Sequence, residues 1–375
     1  MKRCLPINII LLFFVTFIFF ESCKNGNSIN SDNNSEDFSR ISLELDWYAL
    51  ADNQGKLDNE MGKAAAEVAE FSNDGKLIAS GSKLGYNVKV WDLKGNLVFD
   101  YKCDSSLKVV SFFPDDKYLL AGGKFNQLFI WEVDEWKKYK TIEFPAGIES
   151  LRFSHDGEIL AIGRYDGIIN FMKTSDLTFV DSVQHRTGDV VNDPDFRADV
   201  NSLDFSPDDK YLLAGGFDGR LKIWYLPEMK LIKNIQAHDN SIKSVRINKK
   251  GDCIATASSG EDYKGDNTIK LWDFKSCQLL HKLSFPMGME TVDFSPMGNY
   301  LIGGGRESRY DDGNKEPKGH IYFYSIPNDI LTEPIRQIHN EQVFNLEYLS
   351  FNTEGTKLLS SHQDGTVRLW DIIFN

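Results

Sequence analysis

A chain of 375 residues has room for two or three ordinary domains or for one large all-β domain. Apolar side chains make up 41% and charged ones 26%, a balance that builds a core instead of leaving a chain disordered. The formal charge of −13, with no basic run beyond Lys2-Arg3, Lys137-Lys138 and Lys249-Lys250, argues against a nucleic-acid partner, because phosphate binding needs clustered Lys and Arg.

The chain opens with Lys2 and Arg3, followed by the almost wholly apolar run from Leu5 to Phe20, interrupted by Pro6 and Asn8. This charge-then-apolar order is that of an export signal, expected over residues 1–22. The run ends at Phe20-Glu21-Ser22-Cys23, where it resembles a bacterial lipoprotein signal peptide. In that family a cysteine behind a small residue marks the cleavage point and becomes lipid-modified. Ser22 and Cys23 fit the pattern, whereas Phe20 and Glu21 depart from its aliphatic and small preferences. An uncleaved signal anchor is the alternative. Either way the chain is expected to be exported and held at a membrane, in a bacterial cell envelope if Cys23 carries the lipid. Residues 23–40 then form the anchor and a linker, since Lys24 to Ser39 carry too few apolar side chains to offset the entropy of ordering.

Beyond residue 40 one layout recurs seven times. An alternating strand ends in Phe-Ser or a near equivalent, a Gly or Asp turn follows, then an aliphatic strand running into small residues, then a strand closed by a large side chain. The units begin at Val68, Val109, Ser150, Ser202, Ser244, Thr291 and Tyr348 and close at Trp91, Trp131, Met172, Trp224, Trp272, Tyr324 and Trp370. The closures lie 40 to 52 residues apart, the length of a four-stranded propeller blade. The sequence therefore predicts an all-β fold: a seven-bladed β-propeller of four-stranded antiparallel blades over residues 41–375. The last unit stops after its third strand. The alternating stretch Ile41-Ser42-Leu43-Glu44-Leu45-Asp46-Trp47 is expected to supply the missing outer strand and close the ring.

Trp91-Asp92, Trp272-Asp273 and Trp370-Asp371 give the units a resemblance to the WD-repeat family. That resemblance implies a His, Ser/Thr, Asp and Trp hydrogen-bond set inside some blades. His238, Thr256 or Ser258, Asp266 and Trp272 match it in the fifth unit. His339, Ser360 or Ser361, Asp364 and Trp370 match it in the seventh. The fourth offers Asp218 and Trp224 with His185 at a distance, and the third keeps Asp166. These sets are expected to be structural, since buried polar groups must find partners.

Extra length falls at Ala51 to Lys63, Gln184 to Asp199, Ser259 to Asp266 and Arg306 to Gly319. Strand order predicts that all four connections emerge at one rim. Phe196, Tyr263 and Tyr310 within them are candidate partner-binding aromatics. With Cys23 as the anchor, Cys103, Cys253 and Cys277 remain, an odd number that rules out a complete disulfide framework, and their wide spacing does not resemble a metal site. No phosphate loop, nucleophile elbow or zinc motif is present. No catalytic residue, metal or cofactor is expected. The favoured expectation is a monomeric, membrane-tethered scaffold for a protein or peptide. The alternative is a hydrolase, or a small-ligand or glycan binder, using the central channel.

Overall fold

The computed structural model describes residues 41–51, 65–185, 199–260, 266–306, 318–327 and 336–374. The segments expected to be an export signal and a linker lie outside them with Cys23, as do Phe196, Tyr263 and Tyr310. The described residues form seven four-stranded antiparallel sheets, and within six of them each strand pairs with its neighbour in sequence. Six blades are continuous, over 66–102, 107–143, 148–184, 200–236, 242–284 and 288–344. The seventh joins Leu346–Phe351, Lys357–His362 and Thr366–Phe374 to the first strand of the chain, Ile41–Leu50. The fold is a seven-bladed β-propeller, as the repeat predicts.

Each strand's composition suits its radius in the ring. Second strands such as Tyr211–Gly216 are aliphatic and then small, and are buried along nearly their whole length. Third strands such as Arg220–Tyr225 are buried except at their ends. Outer strands such as Phe179–Gln184 are mostly exposed. The serine of the recurring Phe-Ser pair shapes the first turn. Ser72 Oγ accepts the amides of Lys76 and Leu77 at 3.1 and 2.9 Å and donates to Asp74 at 2.7 Å. One residue in each of these seven turns has positive φ: Gly75, Gly157, Gly251, Gly298 and Gly355, but Asp116 and Asp209 in blades two and four. Asparagine and aspartate tolerate that region best among residues with a side chain. Here the carboxylates are put to use. Asp116 accepts the amides of Asn73 and Asp74, and Asp209 those of His155 and Asp156, all at 2.8–2.9 Å, so each ties its turn to the preceding blade.

Blades meet through a repeated close approach. An ideal Cβ built on Gly81, Gly122, Gly163, Gly215 or Gly304 would fall 2.3–3.0 Å from Leu107, Ile148, Val200, Ile242 or Leu346 of the next blade. Each of those aliphatic residues is buried at the start of an innermost strand. Immediately after it every innermost strand carries a bulge, a one-residue slip against its second strand. The slips pass over Glu67, Lys108, Glu149, Asn201, Lys243, Glu290 and Glu347. A bulge re-aims the extra side chain out of the pleat. Seven equivalent bulges thus turn seven polar residues toward the propeller axis.

The first strand closes the ring as expected. It runs antiparallel to Thr366–Phe374, with Ile41 opposite Phe374 and Leu50 opposite Thr366. Trp47 ties this strand to blade one: its indole donates to Leu93 O at 2.9 Å and its ring lies 6.4 Å from that of Trp91. Deleting residues 41–50 should therefore destabilise the whole domain by several kcal/mol, because the buried Ile41 contributes roughly 1.5–3 kcal/mol of apolar burial and the half-buried Leu43 and Trp47 add to it. Thermal unfolding checks this. An unchanged midpoint would mean that the seventh blade is stable with three strands.

Candidate functional site

The axis of the propeller holds a cavity of about 230 Å³ lined by innermost-strand residues from all seven blades and by Lys83 and Arg306 at the ends of two second strands. At its mouth stand the seven bulge residues. Glu67 bridges Lys83 at 3.1 Å and Lys108 at 2.8 Å, and Lys108 reaches Glu149 at 3.8 Å. On the far arc Arg306 lies between Glu290, at 3.3 Å, and Glu347. Burial alone would raise the Glu67 carboxyl, but the two lysines overcome it and hold the group well below the usual carboxylate range. Glu149 and Glu347 shift the other way. Burial raises both, and Lys108 or Arg306 offsets it only in part.

A second tier lies three residues further along the same strands. Arg152 meets Asp204 at 3.0 Å, and Arg246 lies 3.7 Å from Asp293 while donating to Tyr348 Oη at 3.4 Å across two blades. Burial raises Glu70 and Asp293 despite these arginines, and it pushes the Tyr348 phenol up to about 12. Removing one partner from such a buried network leaves an uncompensated charge, which costs about 3–5 kcal/mol. The channel is therefore a nearly charge-balanced, highly polar cavity, and its electrostatics are those of ion pairs. Among the described residues no group of three or more His, Cys, Asp or Glu side chains could hold a metal ion, and no His or Cys lines the cavity.

The mouth opens at the end where extra chain length falls. Lys83 N donates to Ala65 O at 2.8 Å, Phe217 N to Asp199 O at 3.0 Å and Gln363 N to Asn345 O at 2.9 Å. These bonds place the connection from second to third strand beside the connection entering each blade. The residues flanking 52–64, 186–198, 261–265 and 307–317 all lie at this end, although those segments are outside the described residues. Their flanks are firmly held. Ala51, Ala65, His185 and Asp199 are buried. Lys89 donates to Leu50 O at 3.0 Å, the fully buried Lys222 donates to His185 O, and Asp266 N donates to Asn240 Oδ1 at 2.9 Å.

The hydrogen-bond sets sit deeper inside the blades. In the fifth, Trp272 Nε1 donates to Thr256 Oγ1 at 2.9 Å, Thr256 meets His238 Nε2 at 2.7 Å, and His238 Nδ1 meets Asp266 at 3.0 Å. Ser258 instead donates to Ser241 O at 3.0 Å. In the seventh the histidine is different from the one expected. Trp370 Nε1 donates to Ser360 Oγ at 2.8 Å, and Ser360 pairs at 2.8 Å with His362 Nε2, two residues along the same strand. His339 lies in the outer strand of blade six, opposite Phe323. It falls six residues before Asn345, which occupies the connection into blade seven, so its backbone is in the wrong strand for the set. Asp364 accepts from Thr366 and Arg368 Nη2, at 2.9 and 2.8 Å. In the fourth blade His185 Nε2 lies 3.5 Å from Asp218 and its ring 5.8 Å from that of Trp224. Ala214 stands where Thr256 is in blade five, so Trp224 has no hydroxyl at that position. Asp166 pairs with Arg164 in blade three.

Three segments, residues 194–225, 229–273 and 333–371, match the family model described as WD domain, G-beta repeat. They end at the strands closed by Trp224, Trp272 and Trp370. The chain is 23% identical over 80% of its length to eukaryotic translation initiation factor 3 subunit I from Aspergillus terreus, covering 89% of that protein. It is 26% identical over 80% of its length to the WD repeat-containing protein 26 homolog of Drosophila melanogaster, covering 45% of it. Over 48% of its length it is 27% identical to pre-mRNA-processing factor 17 of Saccharomyces cerevisiae, covering 37% of it. These likenesses support the WD-repeat β-propeller family and, with it, a protein-interaction scaffold.

The buried imidazoles make stability depend on pH. Burial, reinforced by Arg368 and only partly opposed by Asp364, pulls His362 down to about 4, and burial lowers His185 and His238 as well. The unfolded chain takes up these protons near pH 6.5. Their contribution is complete above that value and is lost as pH falls toward 4, by about 1.4 kcal/mol per unit for His362. Chemical denaturation should show this loss, and His362→Asn should flatten it. Equal slopes in the two proteins would show that His362 is protonated in the fold.

Proposed function

We propose that this protein is an exported, membrane-tethered scaffold that binds a protein or peptide at the end of the propeller where the channel mouth opens. One observation carries the reading. The charged ring and the tightly held flanks of all four longer connections share that end, so the chain enters and leaves these connections from a rigid base beside a polar floor. Function commonly sits on loops positioned by such a scaffold. One relative is by name a subunit of an initiation factor, which fits a propeller that works by assembling with other proteins. Phe196, Tyr263 and Tyr310 belong to three of these connections and are proposed as interface anchors. Tethering rests on the sequence around Cys23. The thiol would carry the lipid, with the polar stretch behind it as a leash, in a bacterial cell envelope. The propeller is proposed to act as a monomer and without cofactor.

A second reading, a small ligand or glycan held in the channel, is favoured by the charged cavity itself. Hydrolysis there has less support. Ser244 donates its hydroxyl to Val292 O at 3.2 Å, and Ser202 Oγ accepts from Val245 N at 3.0 Å. Neither serine has a histidine beside it among the cavity-lining residues.

Affinity capture from solubilised membranes tests the main reading. The intact protein is compared with a folded variant in which 186–198, 261–265 and 307–317 are shortened to tight turns. A specific protein should be lost from the variant's partners by at least tenfold, and an unchanged set would move the docking surface elsewhere. Cys23→Ala should shift the protein out of the lipid-labelled membrane fraction. Lipid labelling that survives this substitution would contradict the anchor.

A further inference from the structure

We infer that the channel mouth is a proton-operated charge switch: as the medium acidifies, its charge-balanced floor turns cationic and holds an acidic partner surface more tightly. The inference rests on the docking face proposed above and adds the regulation of that face. At the ring four carboxylates, Glu67, Glu149, Glu290 and Glu347, line the cavity among the described residues. Four cations face them, Lys83, Lys108, Lys243 and Arg306.

The cations are shared unequally. Glu67 takes Lys83 at 3.1 Å and Lys108 at 2.8 Å. Glu149 is left with Lys108 at 3.8 Å from its Oε1, while its Oε2 is buried with no hydrogen-bond partner among the described residues. On the far arc the one guanidinium of Arg306 serves both Glu290 and Glu347, whose side chains are each 8% exposed. When buried carboxylates share a cation, the less well compensated one takes up a proton first.

The surroundings of each carboxyl agree with this pairing. Burial is the largest influence on Glu149 and raises it; Lys108 and the Tyr165 phenol oppose the rise, and Asp199 and Glu67 add to it. Burial likewise raises Glu347, against Arg306 and Lys83, and with Glu67 and Glu290 adding to the rise. Burial would raise Glu67 too, but Lys108 and Lys83 overcome it and keep that group ionised. Lysine and arginine keep their charge throughout the acid range. Once Glu149 and Glu347 are neutral, the same four cations face only Glu67 and Glu290. This change is confined to a cavity of about 230 Å³, whose low-dielectric walls focus its field toward the loop-bearing end.

Two measurements on the full chain in detergent micelles test the switch. Carbon-13 spectra of protein labelled at its glutamate carboxyls read protonation directly. Glu149→Gln and Glu347→Gln assign the two signals, and thermal unfolding confirms that each variant folds. Both carboxyls should titrate above the ordinary value of about 4.3, and titration of either at or below it would overturn the switch. The second measurement reads charge at the mouth. Its probes are a cationic and an anionic nitroxide of like shape, and the readout is the relaxation each induces in the Lys108 and Asn201 amides. Between pH 7.5 and 5 the anionic-to-cationic ratio should rise about threefold, as for two charges some 10 Å away screened over a Debye length of similar size. The double glutamine variant should show the raised ratio already at pH 7.5. An unchanged ratio in the parent, or an equal rise at the Met297 amide at the opposite end, would overturn the inference. Loop-dependent capture should strengthen at pH 5; capture indifferent to pH while the ratio switches would overturn the acidic partner. If the ratio switches while capture ignores the loops, the docking face falls instead.

Discussion

The arrangement depends on how closely neighbouring blades approach at one small residue in each second strand. Gly215 lets Ile242 Cγ2 come within 2.3 Å of where a Cβ would be, and Gly163 and Gly304 do the same for Val200 and Leu346 within 2.8 Å. Interiors pack at crystal-like density, so a single added methyl at such a point must push a whole sheet outward. The aliphatic residue that fills the gap fixes the start of the next innermost strand. The bulge follows one residue later, and the bulge aims the charged ring. Packing, local geometry and electrostatics of the mouth are thus consecutive consequences of one contact repeated around the axis.

Ion pairs lining the channel do not make the fold stable by themselves. Two lysines overcome the desolvation of Glu67, whereas Arg306 offsets that of Glu347 only in part. Stability comes from the apolar clusters between blades, such as that of Leu213, Ile223, Ile242, Val245, Ile254 and Trp272. Polar sets such as Trp370–Ser360–His362 are bound up with this packing. Phe344 O accepts from His362 Nδ1 at 2.9 Å, leaving Nε2 to accept from Ser360. This orientation requires a neutral ring.

The fold was legible because each blade repeats its own punctuation. Phe-Ser before a turn, a small-residue run and a closing tryptophan mark three of four strands, and the alternation of residues 41–47 marks the strand that closes the ring. The hydrogen-bond set of blade five was equally legible, since His238, Asp266 and Trp272 stand at the places the pattern requires. His339 misled because sequence spacing does not distinguish an outer strand from the connection after it, and blade six has a long outer strand, Arg336–Phe344. His362 lay within the small-residue run, where a histidine is not part of the pattern. The charged ring left a signal that could have been found by aligning the units: one polar residue just ahead of each alternating strand. It was obscured because its identity changes between Glu, Lys and Asn from blade to blade, as paired charges around a ring must.

The central claim is that the partner meets the loop-bearing mouth. A photo-reactive residue placed at Asn201 on the mouth, or at the exposed Met297 in a turn at the opposite end, would test it most directly in intact cells. Cross-links to a discrete protein from position 201 and none from position 297 are predicted. Cross-links from position 297 alone would contradict it.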